Sequence, residues 1–255
     1  MRLKPVTAAL AAFALAALLV AGAPSGRAED KQPLTDAQQE QVKKLVHDYL
    51  VEHPEAVIEA ISAFREQQQA AAQNAAKKEL DANRDAIFND PNSQVFGNPQ
   101  GDVTVVEFFD YHCPYCKAMA DRLLDIVNAD GKVRLVMKEL PILGPDSVTA
   151  SRAAIAARNQ NLYPQFHKAL MHLQGPLSEA AVMQTAVSVG LDVNKLKQDM
   201  KDAKVDSVIN TNIELARMLS IDGTPGWVVG DQISSGAMSA ESFKQLIDTA
   251  RKAKS

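Results

Sequence analysis

The sequence predicts an α/β fold that is interrupted by a block of helices and preceded by an α-helical extension. Three observations carry this reading. An apolar, β-branched run from Val103 to Phe109 leads directly into a helix opened by Pro114. The stretch from Pro145 to about Ser220 is helical in pattern throughout, and strand signals return only at Gly226 to Gly230.

The elements follow in order from the N-terminus. Arg2 and Lys4 precede an apolar run from Val6 to Val20, and small residues at Gly26 and Ala28 suit cleavage before Glu29; a cut after Ala23 is the alternative. Residues 1–28 therefore read as a secretory signal peptide, because the run is shorter than the roughly 20 residues needed to span a bilayer; the competing reading is a retained membrane anchor. Removing 1–28 takes away Arg2, Lys4 and Arg27 and no acids, which moves the formal charge from −4 to −7. The expected location is the periplasm, where thiols are not kept reduced by default.

Residues 29–90 are expected to form a helical stalk. Thr35-Asp36 ahead of Gln38 and Gln39 is a capping pattern, and Val42, Leu45, Val46, Tyr49 and Leu50 keep helical spacing. Pro54 interrupts the stripe, which Val57, Ile58, Ile61 and Phe64 resume, giving two short amphipathic helices. From Arg65 to Asn83 the chain turns Gln- and Ala-rich, with Leu80 as its one large apolar residue, and reads as an exposed helical linker. Two such helices cannot make a core of their own, so they pack either on copies of themselves or as a cap on the main domain. Self-association, a homo-oligomer, is the favoured expectation.

Residues 91–255 are expected to form the main domain. After the turn-rich 97–102 comes the strand of Val103 to Phe109, then a helix carrying Met119, Leu123, Leu124 and Val127, then a second strand around Val133, Leu135 and Val136. Helices fill about 145–220, with breaks near Tyr163-Pro164, Gly175-Pro176 and Gly190. Strands at Gly226 to Gly230 and Ile233 precede a last amphipathic helix from Ala240 to Ala250.

Composition removes several function classes. With 27 Lys and Arg against 31 Asp and Glu, the chain is too acidic for a nucleic-acid backbone binder. Its two cysteines, Cys113 and Cys116, cannot build a multi-bridge scaffold or a four-cysteine zinc site. The four histidines 47, 53, 167 and 172 lack the spacing of three or four that would place ligands on one helical face, and are expected to be structural or surface residues. There is no Gly-rich phosphate loop and no nucleophile-elbow serine. No cofactor and no metal site is expected.

The chemistry concentrates on Cys113-Pro114-Tyr115-Cys116. A cysteine at a helix N-terminus meets unpaired N–H groups and the positive end of the helix dipole, and both stabilise thiolate. Cys113 is the expected nucleophile. Pro114 fixes the helix entry, and Cys116, one turn deeper, is the expected resolving thiol. A bridge between them closes so small a loop that its effect on the unfolded chain is slight, which argues against a purely structural disulfide. Haem attachment is disfavoured because Lys117 stands where that motif needs His.

The segment Glu107-Phe-Phe-Asp-Tyr-His-Cys-Pro-Tyr-Cys-Lys117 resembles the active-site segment of DsbA-like thiol-disulfide oxidoreductases, a thioredoxin fold with an inserted helical domain. Gly223-Thr224-Pro225-Gly226 looks like the cis-proline loop of that family, and the interval of roughly a hundred residues after Cys116 accommodates the insertion. The extension is similar to that of Com1-like and suppressor-of-copper-sensitivity C-type members, which implies a trimer. The resemblance implies further that Thr224 and Pro225 expose backbone to an extended substrate beside Cys113. It places a buried acid at Glu107 to relay a proton, with Lys138 on the next strand as its charge partner, while a solvated strand residue is the alternative for each. His112 and Tyr115 flank the cysteines and are expected to tune them, His112 as a cation; exposed rim is the bland alternative.

The function expected from these residues is periplasmic thiol-disulfide exchange on cysteine-containing proteins, as an isomerase or reductase, with a membrane redox partner supplying electrons. A monomeric dithiol oxidase is the first alternative. A periplasmic Cu(I)-binding protein, holding the ion between two soft thiolates, is the alternative from another class.

Overall fold

The structure is a computed structural model that describes residues 33–253. The expected signal segment, residues 1–28, lies outside the described residues. The described chain divides between Ile61 and Ser62 into two compact units. Among the described residues, no helix is long and apolar enough to cross a membrane.

The first unit is helical. Helix α1 (Asp36–Glu52) starts on a full capping box: the Thr35 hydroxyl accepts from the Gln38 N–H, and the Gln38 side chain accepts from the Thr35 N–H. It ends at His53, and Pro54, preset for a first helical position, opens α2 (Pro54–Ala82). None of α1 is buried, and Leu45 and Ile58 stand 69% and 65% exposed.

Sequence spacing predicts an amphipathic helix to about Phe64 and an exposed helical linker after it; the linker is helical as expected, and the two form one helix, α2, which runs unbroken for 29 residues. The Ala, Gln, Glu and Lys residues of 65–82 are strong helix formers with no breaker among them, so the helix continues. One side of its last turns is buried: Ala76 and Leu80 are covered, and the short α3 (Arg84–Phe88) adds Ile87 and Phe88 to the cluster of Leu80. Residues 62–90, placed in the stalk by sequence, thus share a compact unit with the sheet. Leu80→Ala should cost about 2–5 kcal/mol by leaving a cavity against Val106 and Phe108, measured as a lower urea midpoint; Leu45→Ala should leave that midpoint unchanged.

The second unit is built on a five-stranded sheet in the order β1-β3-β2-β4-β5. Its strands are β1 (Gln94–Gly97), β2 (Val103–Phe109), β3 (Val133–Glu139), β4 (Gly226–Val229) and β5 (Gln232–Ser235). Only the β2/β3 pair is parallel, and it is joined by the crossover helix α4 (Pro114–Asp130). The edge strand β1 is absent from the sequence reading, because four residues beside a turn carry too little alternation to register. At Gly97 an added Cβ would lie 2.5 Å from the Val133 carbonyl oxygen, so only glycine lets β1 close on β3 there.

Five helices fill the insertion: α5 (Pro145–Ala157), α6 (Tyr163–His172), α7 (Glu179–Ser188), α8 (Val193–Asp199) and α9 (Ala203–Met218), with a 3₁₀ turn at Arg158–Gln160. The breaks expected from sequence separate α5, α6, α7 and α8, while the further break between α8 and α9 is not among them. The last helix, α10 (Ala240–Ala253), buries Phe243 and Ile247.

Strand alternation sorts the core into two layers. Val105, Phe109, Leu135 and Met137 point to the layer that holds α4 and the insertion. Val106, Phe108, Val136 and Val228 point to the layer holding Leu80, Ile87 and Leu215. This two-residue period decides the fate of the central charges.

Candidate active site

Strand β2 ends at Phe109, and the chain must turn before α4 can start. Asp110 makes that turn: its carboxylate accepts from the His112 N–H at 2.7 Å, and its carbonyl oxygen accepts from the Cys113 N–H at 3.0 Å. Cys113 is thereby the N-cap of α4 and Pro114 its first helical residue. Cys116, one turn on, is fully buried, and Cys113 is 3% exposed.

The two thiols titrate in opposite directions. Cys113 is lowered to about 5, first by the hydrogen bond that the Cys116 thiol donates to it, then by a hydrogen bond from the Thr224 side chain and by the N–H groups of Cys116 and Tyr115 at the helix start, against an opposing effect of burial. The Cys113 thiol also lies 3.2 Å from the Thr224 carbonyl oxygen. A carbonyl accepts and so favours the protonated thiol; the donors therefore carry the shift. Cys116 is pushed far up by the same hydrogen bond, by burial and by the nearby Glu107 charge.

Thr224 precedes Pro225 through a cis peptide bond, and β4 starts at the next residue. The Thr224 backbone is thus set against the cysteine from the opposite side of the turn.

Glu107 is 2% exposed on β2, and burial, followed by the Cys113 charge, raises it to about 8. Lys138 is not its partner. In the parallel register Glu107 pairs with Met137 and Phe108 pairs with Lys138, so the acid and the cation point to opposite faces of the sheet. The Lys138 ammonium instead donates to Asp90 Oδ2 at 3.1 Å and Ser93 Oγ at 2.9 Å, holding the segment after α3 against the sheet. His112 and Tyr115 are exposed, and His112 meets the site through its backbone N–H.

One feature escapes the sequence reading, and a second is read there only as a structural or surface residue. One is Asp110, whose second carboxylate oxygen accepts from the Leu143 N–H at 3.0 Å; an Asp closing a strand two residues before an exposed N–H was the available signal. The other is His167, buried in the insertion, 3.0 Å from the Tyr111 hydroxyl and stacked on Tyr163 at 5.7 Å. Burial lowers it to about 3, so it is neutral and serves as a hydrogen-bonding core residue between insertion and active-site turn.

With this geometry in place, the comparison with known proteins is direct: residues 104–248, more than half of the chain, match the family described as DSBA-like thioredoxin domain. The chain belongs to that DSBA-like family. Residues 38–71 match the family described as copper resistance protein ScsC N-terminal domain. A thioredoxin-like oxidoreductase from Silicibacter pomeroyi DSS-3 is 48% identical, with 67% of this chain and 98% of that chain covered and a TM-score of 0.66. Proteus mirabilis ScsC, in a transitional conformation, is 30% identical over 86% of this chain and 100% of its own, with a TM-score of 0.64. Among curated sequences, the Na(+)/H(+) antiporter NhaA 1 of Salinispora arenicola is 27% identical over 158 residues, 61% of this chain. The DSBA-like chain spans about a quarter of the length of such curated relatives, 24% in that case.

Proposed function

We propose that this DSBA-like chain is a periplasmic thiol-disulfide oxidoreductase that acts on cysteine-containing proteins, with Cys113 as nucleophile and Cys116 as resolving thiol. The observation that carries the reading is the split of the two thiols: one held near 5 at a helix start, its neighbour pushed far up. At neutral pH such a pair is a thiolate beside a thiol, which is the starting state for exchange.

Cys113 thiolate attacks one sulfur of a substrate disulfide, forming a mixed disulfide and releasing the other sulfur as a thiolate. If that thiolate attacks a different disulfide sulfur and Cys113 leaves, the substrate is isomerised with no net electron transfer. If instead Cys116 gives up its proton and attacks Cys113, the substrate leaves as a dithiol and the enzyme pair becomes a disulfide; forming the mixed disulfide first removes the Cys113 charge that helps keep Glu107 protonated, so that Glu107 can lose its own proton and take that of Cys116. The reverse sequence oxidises a dithiol. The Thr224 carbonyl and Pro225 offer backbone beside the reacting sulfur for an extended substrate segment. With two cysteines in all, reduction of the spent pair requires electrons from another protein, and a membrane redox partner fits that role.

Isomerisation or reduction is favoured over simple oxidation by the helical extension. Val42, Leu45, Tyr49, Ile58 and Ile61 are 43–69% exposed in the single chain, an apolar face that copies of the chain would cover. Several catalytic units joined in this way, three by resemblance, would surround one client and shield each pair from oxidation. Leu45→Glu with Ile58→Glu should yield a monomer by light scattering, keep insulin reductase activity, and lose most scrambled-ribonuclease refolding. A monomer that refolds ribonuclease as well as the wild type refutes the role given to the extension.

Cys116→Ala separates exchange from metal handling. Mixed disulfides with client proteins should accumulate on Cys113 and appear on non-reducing gels. Their absence, together with stoichiometric copper in the purified wild type, would favour the Cu(I)-binding reading.

A further inference from the structure

Asp110 has no part in the exchange steps above, yet it contacts both cysteines and the loop beside them. Its side chain is fully buried, at the end of a strand whose neighbours are apolar. One carboxylate oxygen accepts from the His112 N–H at 2.7 Å and the other from the Leu143 N–H at 3.0 Å. Its carbonyl oxygen accepts from the Cys113 N–H, and its own N–H faces the Cys116 sulfur. A buried carboxylate is costly unless hydrogen-bonded, and here both oxygens are spent on the main chain of two separate loops.

The two loops have different tasks. The turn 110–113 sets where α4 begins and hence whether the Cys113 sulfur sits under the helix N–H groups. The loop after β3, from Leu140 to Gly144, is held at its near end by the Leu140 N–H on the Phe109 carbonyl at 2.7 Å. Beyond that point Asp110 fastens its far end, where Ile142 and Leu143 stand 42% and 46% exposed.

We propose that Asp110 is a positioning residue that locks the cysteine turn to the Leu140–Gly144 loop, so that one buried carboxylate sets both the acidity of Cys113 and the placement of the loop beside it. This inference rests on the reading of Cys113 as the reactive thiolate. Without the carboxylate, the turn is free to leave the geometry that places Cys113 on the helix start, and the sulfur loses donors that depend on direction and distance. The loop loses its anchor at the same time.

The test uses the full chain with Asp110→Ala and Asp110→Asn, each checked for folding by circular dichroism and melting temperature. Thiolate absorbance near 240 nm against pH gives the Cys113 titration, and iodoacetamide trapping confirms it. Asp110→Ala should raise the Cys113 midpoint by at least about one pH unit, a tenfold loss of thiolate stabilisation. It should also lower kcat/KM for a protein disulfide more than for a small aromatic disulfide. Asp110→Asn retains one acceptor and should show a smaller shift of the same sign.

A general weakening of the fold would lower the melting temperature but leave the midpoint of the folded protein in place. Folded variants that titrate as the wild type does overturn the positioning role. A wild type with no thiol midpoint below about 7 would instead refute the reading of Cys113 itself, so the two failures are distinguishable.

Discussion

Cys113→Ser is expected to bring insulin reduction and disulfide reshuffling down to the uncatalysed rate, while the melting temperature stays close to that of the reduced wild type. The reacting species is a thiolate, held at about 5 and therefore almost fully ionised at pH 7. A serine hydroxyl in the same place is not ionised at that pH, and no donor near it can make up the difference. Cys116→Ser should behave differently: attack on substrate persists, but the mixed disulfide is resolved slowly, so turnover falls while trapped species rise. Both variants are read in one experiment, by stopped-flow reduction of a small disulfide followed by gel analysis. Residual turnover in Cys113→Ser would mean that the buried Cys116 attacks directly, contrary to its strongly raised pKa.

The second large effect is on stability rather than rate. Glu107 binds its proton up to about pH 8 in the folded chain, against an ordinary value of 4.5. Between those values the folded state holds a proton that the unfolded state has released, so rising pH destabilises the fold through this group. The penalty grows by about 1.4 kcal/mol per pH unit and levels off above pH 8, at about 4–5 kcal/mol. Glu107→Gln removes the titration and keeps the volume. Reduced wild type and reduced Glu107→Gln should therefore be similarly stable near pH 4.5, and the variant should gain steadily toward pH 8, as followed by urea unfolding across that range. A stability difference independent of pH would show that Glu107 is not the buried, proton-holding acid. The same variant should slow resolution by Cys116 without changing the first attack, because only the second step needs a base for Cys116.

Much of this site is legible in the sequence for a physical reason. The run Val103 to Phe109 is apolar on both faces, which only a central strand tolerates, and Pro114 after it announces the helix start that makes Cys113 an N-cap. What the sequence does not reveal depends on which face of the sheet a residue occupies or on contacts far along the chain. Glu107 and Lys138 invite pairing because they lie on adjacent strands, but the register offsets them by one residue and sends them to different layers. Asp90, the real partner of Lys138, is 48 residues away in sequence, in a segment that reads as a turn. Leu80 illustrates a second limit. One leucine in a polar, Ala-rich helix carries no periodicity, yet it is fully buried and ties the end of α2 to the sheet. His167, read as structural, is buried and neutral against Tyr111.

The sheet ends on both sides in very short strands. β1 and β5 are four residues each; β1 stops at Gly97 with φ of 69°, and β5 lies between Gly230 and Gly236, with φ of 60° and 89°. Any extended segment that meets an open sheet edge can dock on it and seed a cross-strand aggregate. Edges this short, closed by residues that turn the backbone away and partly polar in β5, give such a segment little length over which to pair. An extended segment is thereby denied a long edge on either side of the sheet that presents the cysteines, which limits cross-strand association of this chain with others.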